Sequence, residues 1–266
     1  MRRALSIPAF GTFGDVHLLV DLAREAEDKG WDGVFLWDHL LYDGDGPVAD
    51  PWIVLAAMAA ATERIRLGPL VTPIPRRRPW KVAREAVTLD HLSRGRLVLG
   101  VGLGIDFWNE FGAFAGEAAD DATRADLLDD GLEIIRRLWS GEPATYQGRR
   151  LSVDGARFLP RPLQQPRIPI WSGALWPLRP GPARRAAGCD GIVPLNPGGV
   201  MTPDDVKVLK ADMESRRRAN KPFDICVAGP FQHAGAFEEA GATWLIEGFW
   251  PQMPLADARR AMADRL

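Results

Sequence analysis

The sequence predicts an α/β protein of the (β/α)8 TIM-barrel class. Eight strand-like segments alternate with eight helix-like segments, which indicates a parallel sheet whose strands are joined by crossover helices. The chain has 266 residues, and about 250 residues is the usual length for eight such repeats. The fourth strand-like segment is apolar almost throughout, as is typical of a strand buried on both faces. We therefore expect one domain over residues 1–266, with its chemistry at the carboxyl ends of the strands.

The predicted strands are short apolar segments bounded by glycine, proline or charged residues. In chain order they are Ala4–Ala9, Gly33–Trp37, Ile65–Val71, Gly95–Val101, Ile168–Ser172, Gly191–Leu195, Phe223–Ala228 and Ala242–Glu247. A short hairpin is expected within Tyr146–Val153, outside this alternation. The prolines that follow the hairpin predict a stiff, extended excursion before the fifth strand.

The predicted helices carry apolar residues at helical spacing, and several begin at a capping residue. Asp15 caps the first helix, Asp50 followed by Pro51 starts the second, and Thr202 caps the sixth. The helical segments are Asp15–Lys29, Trp52–Thr62, Trp80–Leu92, Arg124–Trp139, Pro182–Ala187, Pro203–Asn220, Ala236–Ala240 and Ala256–Leu266.

Composition narrows the classes of partner. The net charge of −2 gives no reason to expect nucleic acid or an anionic membrane surface. No apolar run is long enough to span a bilayer, and the basic start at Met1–Leu5 runs directly into the first strand, unlike a signal peptide. Cys189 and Cys226 lie far apart and form no metal or redox motif. We therefore expect a cytoplasmic protein with reduced cysteines.

Asp38 and His39 follow the second predicted strand directly and are the strongest polar candidates. A carboxylate and an imidazole at the mouth of a barrel can transfer protons or hold the polar edge of a ligand. The pair is also consistent with a helix cap and a loop histidine that bonds to backbone. Its position at the end of a strand makes the functional interpretation as well supported as the structural one.

Three other segments are candidates for ligand contact, and each is equally consistent with a structural role. Gly68–Pro73 leaves the third strand irregularly and could bring its backbone close to a flat ligand. Gly100–Gly104 allows a similar close approach, with Asn109 and Glu110 within reach. Ser172–Ala174 can present backbone amides to a phosphate. The run Arg76–Arg78 could also bind phosphate, although such runs are more often solvated.

The motifs that the sequence lacks favour chemistry carried by a cofactor. No His or Cys spacing typical of a metal site is present, and neither is a Gly-x-Ser-x-Gly nucleophile elbow. Aromatic residues near the predicted strand ends suggest a flat or apolar ligand, although core packing explains aromatics as well. They are Trp37, Phe107, Trp108, Trp176, Phe249 and Trp250. We expect a barrel that positions a redox cofactor, with no protein-bound metal.

Motifs along nearly the whole chain resemble those of luciferase-like oxidoreductases, the bacterial luciferase superfamily. The most specific is Leu92–Leu97 running into Gly100–Gly104. The other matching segments are Gly33–Leu40, Asp50–Trp52, Ala61–Gly68, Asn109–Phe111, Leu138–Gly141, Ile168–Gly173, Cys189–Gly191 and Gly241–Trp244. Each motif is weak alone, but their order and coverage make the resemblance strong.

The resemblance implies a TIM barrel that uses FMN or the deazaflavin coenzyme F420. The Asp-His pair resembles the F420-dependent branch, in which the matching residues handle protons, so Asp38 and His39 are the implied catalytic residues. A non-proline cis peptide is implied within Pro69–Thr72, at Pro69-Leu70 or Leu70-Val71. The implied cofactor-binding residues are Pro69, Leu70, Val71, Thr72, Gly102, Gly104, Asn109, Ser172, Gly173 and Ala174.

Two departures from the family pattern affect these expectations. Many relatives have Gly-Gly where this chain has Gly173-Ala174, which weakens the expected phosphate-binding turn. The excursion before the fifth strand is also shorter than in luciferases proper. A smaller lid and a more open pocket would follow.

The favoured function is hydride transfer between reduced F420 and a small organic substrate, in either direction. An FMN-dependent two-component monooxygenase, which needs a partner flavin reductase, is the nearest alternative. An F420 reductase is the corresponding partner for the favoured function. A hydrolase or lyase that uses Asp38 and His39 without a redox cofactor, and a non-catalytic cofactor-binding relative, are alternatives of other classes. By analogy with the family, a homodimer would form through the second and third helices.

Overall fold

A computed structural model describes residues 1–217 and 221–263, and its centre is a parallel β-barrel. The strands are β1 (Arg2–Pro8), β2 (Gly33–Trp37), β3 (Arg66–Pro69), β4 (Thr72–Pro73), β5 (Leu99–Gly102), β6 (Ala144–Gln147), β7 (Ser152–Ala156), β8 (Ile170–Leu175), β9 (Gly191–Leu195), β10 (Asp224–Ala228) and β11 (Trp244–Gly248). Nine of them form one sheet in the order β3-β2-β1-β11-β10-β9-β8-β5-β4. A parallel bridge between Leu67 of β3 and Leu97, just before β5, closes the sheet into a barrel. The predicted barrel is therefore confirmed.

The third predicted strand is divided into β3 and β4. The interruption lies at the peptide bond between Leu70 and Val71, which is cis and is one of the two bonds that the family resemblance implies. β3 pairs with β2, whereas β4 pairs with β5. Nine strand segments therefore occupy the eight positions of the barrel.

Eight α-helices occur in the part of the chain that the structure describes. They are α1 (Val16–Asp28), α2 (Pro51–Ala61), α3 (Pro79–Leu92), α4 (Asp121–Leu138), α5 (Pro180–Ala187), α6 (Pro203–Arg216), α7 (Ala234–Ala240) and α8 (Leu255–Ala263). The side chains of Asp15, Asp50 and Thr202 accept hydrogen bonds from the first turns of α1, α2 and α6, as predicted. Residues 218–220 and 264–266, assigned to helices from the sequence, lie outside the described residues.

Several strand boundaries differ from the sequence prediction by one to four residues, and two of the differences affect the candidate site. The fourth strand begins at Leu99 rather than Gly95, because Arg94 and Gly95 adopt positive φ angles of 55° and 83° in the turn that ends α3. The fifth strand continues to Leu175 instead of ending at Ser172. Gly173 and Ala174 therefore pair with Val193 and Pro194 of β9 and do not form a turn.

The barrel interior is filled at its amino end by large side chains. Phe35, Trp171 and Trp244 lie there with ring centroids 5.3–6.0 Å apart. A second apolar layer lies between the sheet and the helices. Cys189 and Cys226 are both buried and free. No helix among the described residues has the length and apolar character needed to cross a membrane.

Candidate active site at the carboxyl ends of the strands

Asp38, directly after β2, lies in a fully occupied polar environment. Its carboxylate is buried and accepts hydrogen bonds from Thr72 Oγ1 at 2.7 Å and Trp52 Nε1 at 3.2 Å. Arg77 Nη2 donates to both carboxylate oxygens, at 2.9 and 3.1 Å. Arg76 donates to the backbone oxygen of Asp38 at 2.6 Å. The carboxylate is therefore held by three side chains from separate segments and has little freedom to reorient.

His39 lies beside this carboxylate but has a different environment. Its Nδ1 is 2.8 Å from Oε2 of Glu110, in the loop after β5. The side chain is 14% exposed, and within the described residues no group hydrogen-bonds to its Nε2. Trp108 lies edge-on to the imidazole at a centroid distance of 4.8 Å, and Phe10 does the same at 5.7 Å. The ring is therefore fixed on one side and free to meet a ligand through Nε2.

Glu110 is the buried group that organises this corner of the barrel. One of its oxygens accepts from the backbone amides of Leu40 and Leu41 and lies 2.7 Å from Arg76 Nη1, an ion pair by distance. Burial alone would raise the pKa of Glu110, but the hydrogen bond and charge of His39, the Leu40 amide and Arg76 lower it to about 2. At neutral pH the group is a carboxylate, which only accepts hydrogen bonds. His39 Nδ1 must then be the donor.

We refer to Asp38, Thr72, Arg76, Arg77 and Glu110 as the polar layer. The charges of its two carboxylates and two guanidinium groups balance. The side chains of these four residues are mostly or wholly buried. Arg76 and Arg77 thus act within the protein, and the phosphate-binding role considered for this run does not fit them. Arg78 lies over the ring of Trp80 at 5.9 Å.

The segment predicted to lie against a cofactor ring divides into buried and accessible parts. Pro69 and Thr72 are buried, whereas Leu70 and Val71 are half-buried. Side chains of Leu70 and Val71 fill the space left by glycines on neighbouring strands. A Cβ on Gly102 would lie 2.7 Å from Val71 Cγ2, and one on Gly173 would lie 3.0 Å from Val71 Cγ1. These glycines are therefore required for packing behind the Leu70–Val71 segment.

Gly104 and Asn109 shape the loop after β5. Both have positive φ angles, 85° and 58°, and a Cβ on Gly104 would lie 2.8 Å from the ring of Phe111. Asn109 is exposed, and its backbone oxygen accepts from the amide of Ala113 at 2.8 Å. This turn places Glu110 below the surface, where it reaches His39.

Two buried groups near the carboxyl ends of β5 and β8 have donor atoms without a hydrogen-bond partner among the described residues. One is the hydroxyl of Ser172, on the helix-facing side of β8. The other is the guanidinium of Arg124 in the first turn of α4, whose Nη2 donates to the exposed Asp121 while its Nε and Nη1 atoms are unpaired. The Arg124 side chain stacks on Phe111 at 4.2 Å. Unpaired buried donors are costly unless a ligand or water satisfies them.

Aromatic side chains form one wall around the mouth of the barrel. We call this set the aromatic rim; it consists of Phe10, Trp37, Tyr42, Phe107, Trp108 and Trp250, linked by centroid distances of 5.0–6.0 Å. Two other aromatics suggested by the sequence lie elsewhere. Phe249 is buried against Phe13, and Trp176 packs among the helices and donates to Asp205.

The sequence provided only weak signals for Glu110 and Arg76 as site residues, and it provided no such signal for Arg124. Glu110 and Arg76 contact the β2 exit because the loops after β4 and β5 meet there. Local sequence patterns cannot reveal a contact between distant loops. The Asn109–Glu110–Phe111 match to the family was the available signal. Arg124 appeared only as a helix start. Glu247, a half-buried acid on β11 whose pKa is raised by burial, shares its strand face with Leu245, which packs against the helices.

A model of the luciferase-like monooxygenase family matches residues 6–263. The chain belongs to this family. The prediction made from the motifs is thus confirmed. Among curated proteins, an F420-dependent glucose-6-phosphate dehydrogenase of Microbacterium testaceum is 40% identical over 175 residues, which is 64% of this chain and 49% of that protein. A protein of the same name from Amycolatopsis mediterranei is 32% identical over 77% of this chain and 61% of its own length.

The chain spans about half to three-fifths of the length of these relatives. Among solved structures, an F420-dependent secondary alcohol dehydrogenase with an F420-acetone adduct aligns with a TM-score of 0.77 and 18% identity, over 93% of this chain and 92% of that one. The monooxygenase RslO1 of Streptomyces bottropensis aligns with a TM-score of 0.73 and 22% identity, over 99% and 97%. At this identity they show a shared fold. All four are oxidoreductases, the predicted enzyme class.

Proposed function

We propose that this chain is an F420-dependent oxidoreductase that catalyses hydride transfer to or from a small organic substrate. The observation that carries the proposal is the state of His39. Its Nδ1 is fixed by a buried carboxylate, while its Nε2 faces no partner among the described residues at the mouth of the barrel. The names of the curated relatives support F420 as the cofactor.

The residues present fit a flat cofactor with an anionic tail. The half-buried Leu70 and Val71 offer an apolar surface for a ring, with Gly102 and Gly173 supporting them from behind. Arg124 and Ser172 supply buried donors that an anionic group would satisfy. A bound deazaflavin supplies a carbon that accepts or donates hydride. The amides of Gly173 and Ala174 lie within the sheet, so they contribute less than a free turn would.

His39 is the proton-handling residue in this proposal. When a carbonyl is reduced, its carbon accepts the hydride and its oxygen accepts a proton from His39 Nε2; alcohol oxidation reverses both transfers. Glu110 holds the proton on Nδ1 and orients the imidazole. Arg76 neutralises Glu110, which keeps the pair stable when buried.

Asp38 has a different role from the one implied by the resemblance. Both of its oxygens already accept hydrogen bonds from Thr72, Trp52 and Arg77. A carboxylate with these partners is a poor proton acceptor, because protonation would break charge-assisted bonds. Asp38 therefore anchors the end of β2, and His39 projects from that anchor.

A parallel titration of F420 and FMN tests the cofactor assignment. The protein's tryptophan fluorescence and the cofactor's own emission report binding, and turnover is then followed with enones, ketones and secondary alcohols. The proposal expects F420 to bind at least about tenfold more tightly than FMN and its redox state to change with substrate. Preference for FMN would favour the two-component monooxygenase, with a flavin reductase as partner. Binding of neither cofactor would reject both.

A further inference from the structure

The rings at the barrel mouth are unusually open to solvent. Phe107 is 63% exposed and Trp250 is 64% exposed. They belong to the loops after β5 and β11, and each contacts a residue of the β2 exit: Phe107 lies 6.3 Å from His39 and Trp250 lies 5.7 Å from Trp37. Large aromatic surface left in water beside a candidate catalytic residue is typical of a ligand site.

The opposite side of the mouth is also apolar. Leu175 and Leu195 are adjacent residues at the ends of β8 and β9, and both are exposed. A Cβ on Gly248, at the end of β11, would meet no atom within 4 Å, so the space above that strand is open. A small molecule beside His39 would thus find apolar groups on both sides.

The loops around this space do not favour a phosphorylated substrate. The loops at residues 38–50, 103–120, 196–202 and 249–254 contain no lysine or arginine, and the first two contain three acidic residues each besides the paired Asp38 and Glu110. Arg76 and Arg77 are neutralised within the polar layer. A phosphate monoester needs cationic groups or free amides to replace its hydration. Besides Arg78 and the buried Arg124, which the proposed function assigns to the cofactor, the exposed Arg179 before α5 is the remaining cation next to these loops.

We infer that the substrate is an uncharged, apolar ketone, enone or secondary alcohol, and that Phe107 and Trp250 determine this specificity. This inference rests on the proposed function. It differs from the substrate named for the curated relatives, glucose 6-phosphate. Phe107 and Trp250 contribute apolar contact area, and the acidic loops disfavour a dianion through like-charge repulsion.

Equilibrium binding separates this inference from the proposed function, because it requires no turnover. Calorimetric titrations with 2-cyclohexen-1-one and with glucose 6-phosphate are made with F420 present, and without it if F420 does not bind. We expect the enone to bind measurably and the sugar phosphate to bind at least about tenfold more weakly. Tighter binding of glucose 6-phosphate, lost in the variant Arg179→Ala, would overturn the inference even if F420 binds.

Two ring variants and a control test the assigned residues. Phe107→Ala and Trp250→Ala should each weaken enone binding about three- to tenfold, the loss expected from one aromatic contact. Trp250→Phe should retain most of the affinity. Val208→Ala, an equally exposed apolar position on α6, should leave it unchanged. Enone affinity that is unchanged in both alanine variants, with F420 binding intact, would reject the specificity role while leaving the cofactor assignment standing.

Discussion

The polar layer and the aromatic rim differ in how completely their atoms are satisfied. In the polar layer, both carboxylates accept several hydrogen bonds and both pair with arginine. In the aromatic rim, Phe107 and Trp250 are mostly exposed. His39 lies between the two regions: its Nδ1 bonds to Glu110 of the polar layer, whereas its Nε2, beside the rim, has no partner among the described residues. A self-satisfied cluster maintains structure, whereas an unsatisfied surface next to it is where a ligand can bind.

The largest expected effect follows removal of the His39 side chain, whose Nε2 has no partner among the described residues. His39→Ala should lower kcat for hydride transfer by about 10²- to 10⁴-fold, the usual contribution of a general acid or base. Its affinity for F420 should change little. Stopped-flow measurement of cofactor oxidation provides the rate, and His17→Ala, at an exposed position on α1, is the control. Equal rates for both variants would remove His39 from the reaction.

The next largest effect is the loss of folding stability when Glu110 is replaced. Glu110→Ala leaves Arg76 buried without its acidic partner and should lower the free energy of unfolding by about 3–5 kcal/mol. Urea denaturation measures this change, and Glu85→Ala on α3, whose partner Lys81 is exposed, should cost far less. A loss of similar size in both variants would show that Glu110 does not stabilise the buried charge of Arg76.

The lowered pKa of Glu110 also predicts that the protein loses stability in acid. Its pKa is about 2 in the folded protein against an ordinary value of 4.5. Because the folded pKa is the lower one, the contribution is complete above pH 4.5 and is lost as the pH falls from 4.5 toward 2. The stability difference between the native protein and Glu110→Gln should therefore shrink over this range. A difference independent of pH would show that the carboxylate is not held as described.

Asp38 should affect stability more than chemistry. Asp38→Asn weakens the bonds to Arg77 and Thr72 and should cost about 1–3 kcal/mol in unfolding free energy. If Asp38 only anchors β2, the pH dependence of kcat should keep its shape. An Asp38→Asn variant with full stability and an altered pH profile would instead favour direct participation in proton transfer.

The smallest predicted effect concerns the unpaired donors. Arg124→Gln and Ser172→Ala should each weaken F420 binding about tenfold, with little loss of stability, since neither side chain fixes a buried acid. Titration of the cofactor measures this effect. The control is Arg136→Gln, which changes another arginine with an unpaired buried nitrogen, but one in the last turn of α4 beside Cys189. Unchanged affinity in both variants would place the anionic group elsewhere.

Local sequence patterns predicted the barrel and most of its elements. Alternation of strand and helix signals gave the fold, and β2 and β9 agree with the predicted residues at both ends. The β8 boundary was missed because Gly173 and Ala174 read as a turn. In the structure Gly173 stays in the strand, where its missing side chain accommodates Val71. Gly173 is thus needed for packing against Val71, a distant residue, although in the sequence it resembles a turn glycine.

The site was only partly predictable for the same reason. The position of His39 follows from the end of β2, a local feature. The different environments of Asp38 and His39 depend on Arg77 and Glu110, which lie 39 and 71 residues away along the chain. The exposed and buried aromatics also look alike in sequence. Phe249 and Trp250 are neighbours, yet one is buried in the core and the other lies at the rim.

Nitrogen NMR of histidine-labelled protein measures the state of each His39 nitrogen, because the chain has four histidines and His39→Ala identifies the signal of interest. We expect that His39 Nδ1 carries a proton at neutral pH, and that its chemical shift changes in Glu110→Gln and when an enone is added. A His39 ring whose Nδ1 is unprotonated, and whose signals ignore both changes, would contradict the fixed and free sides assigned to this residue.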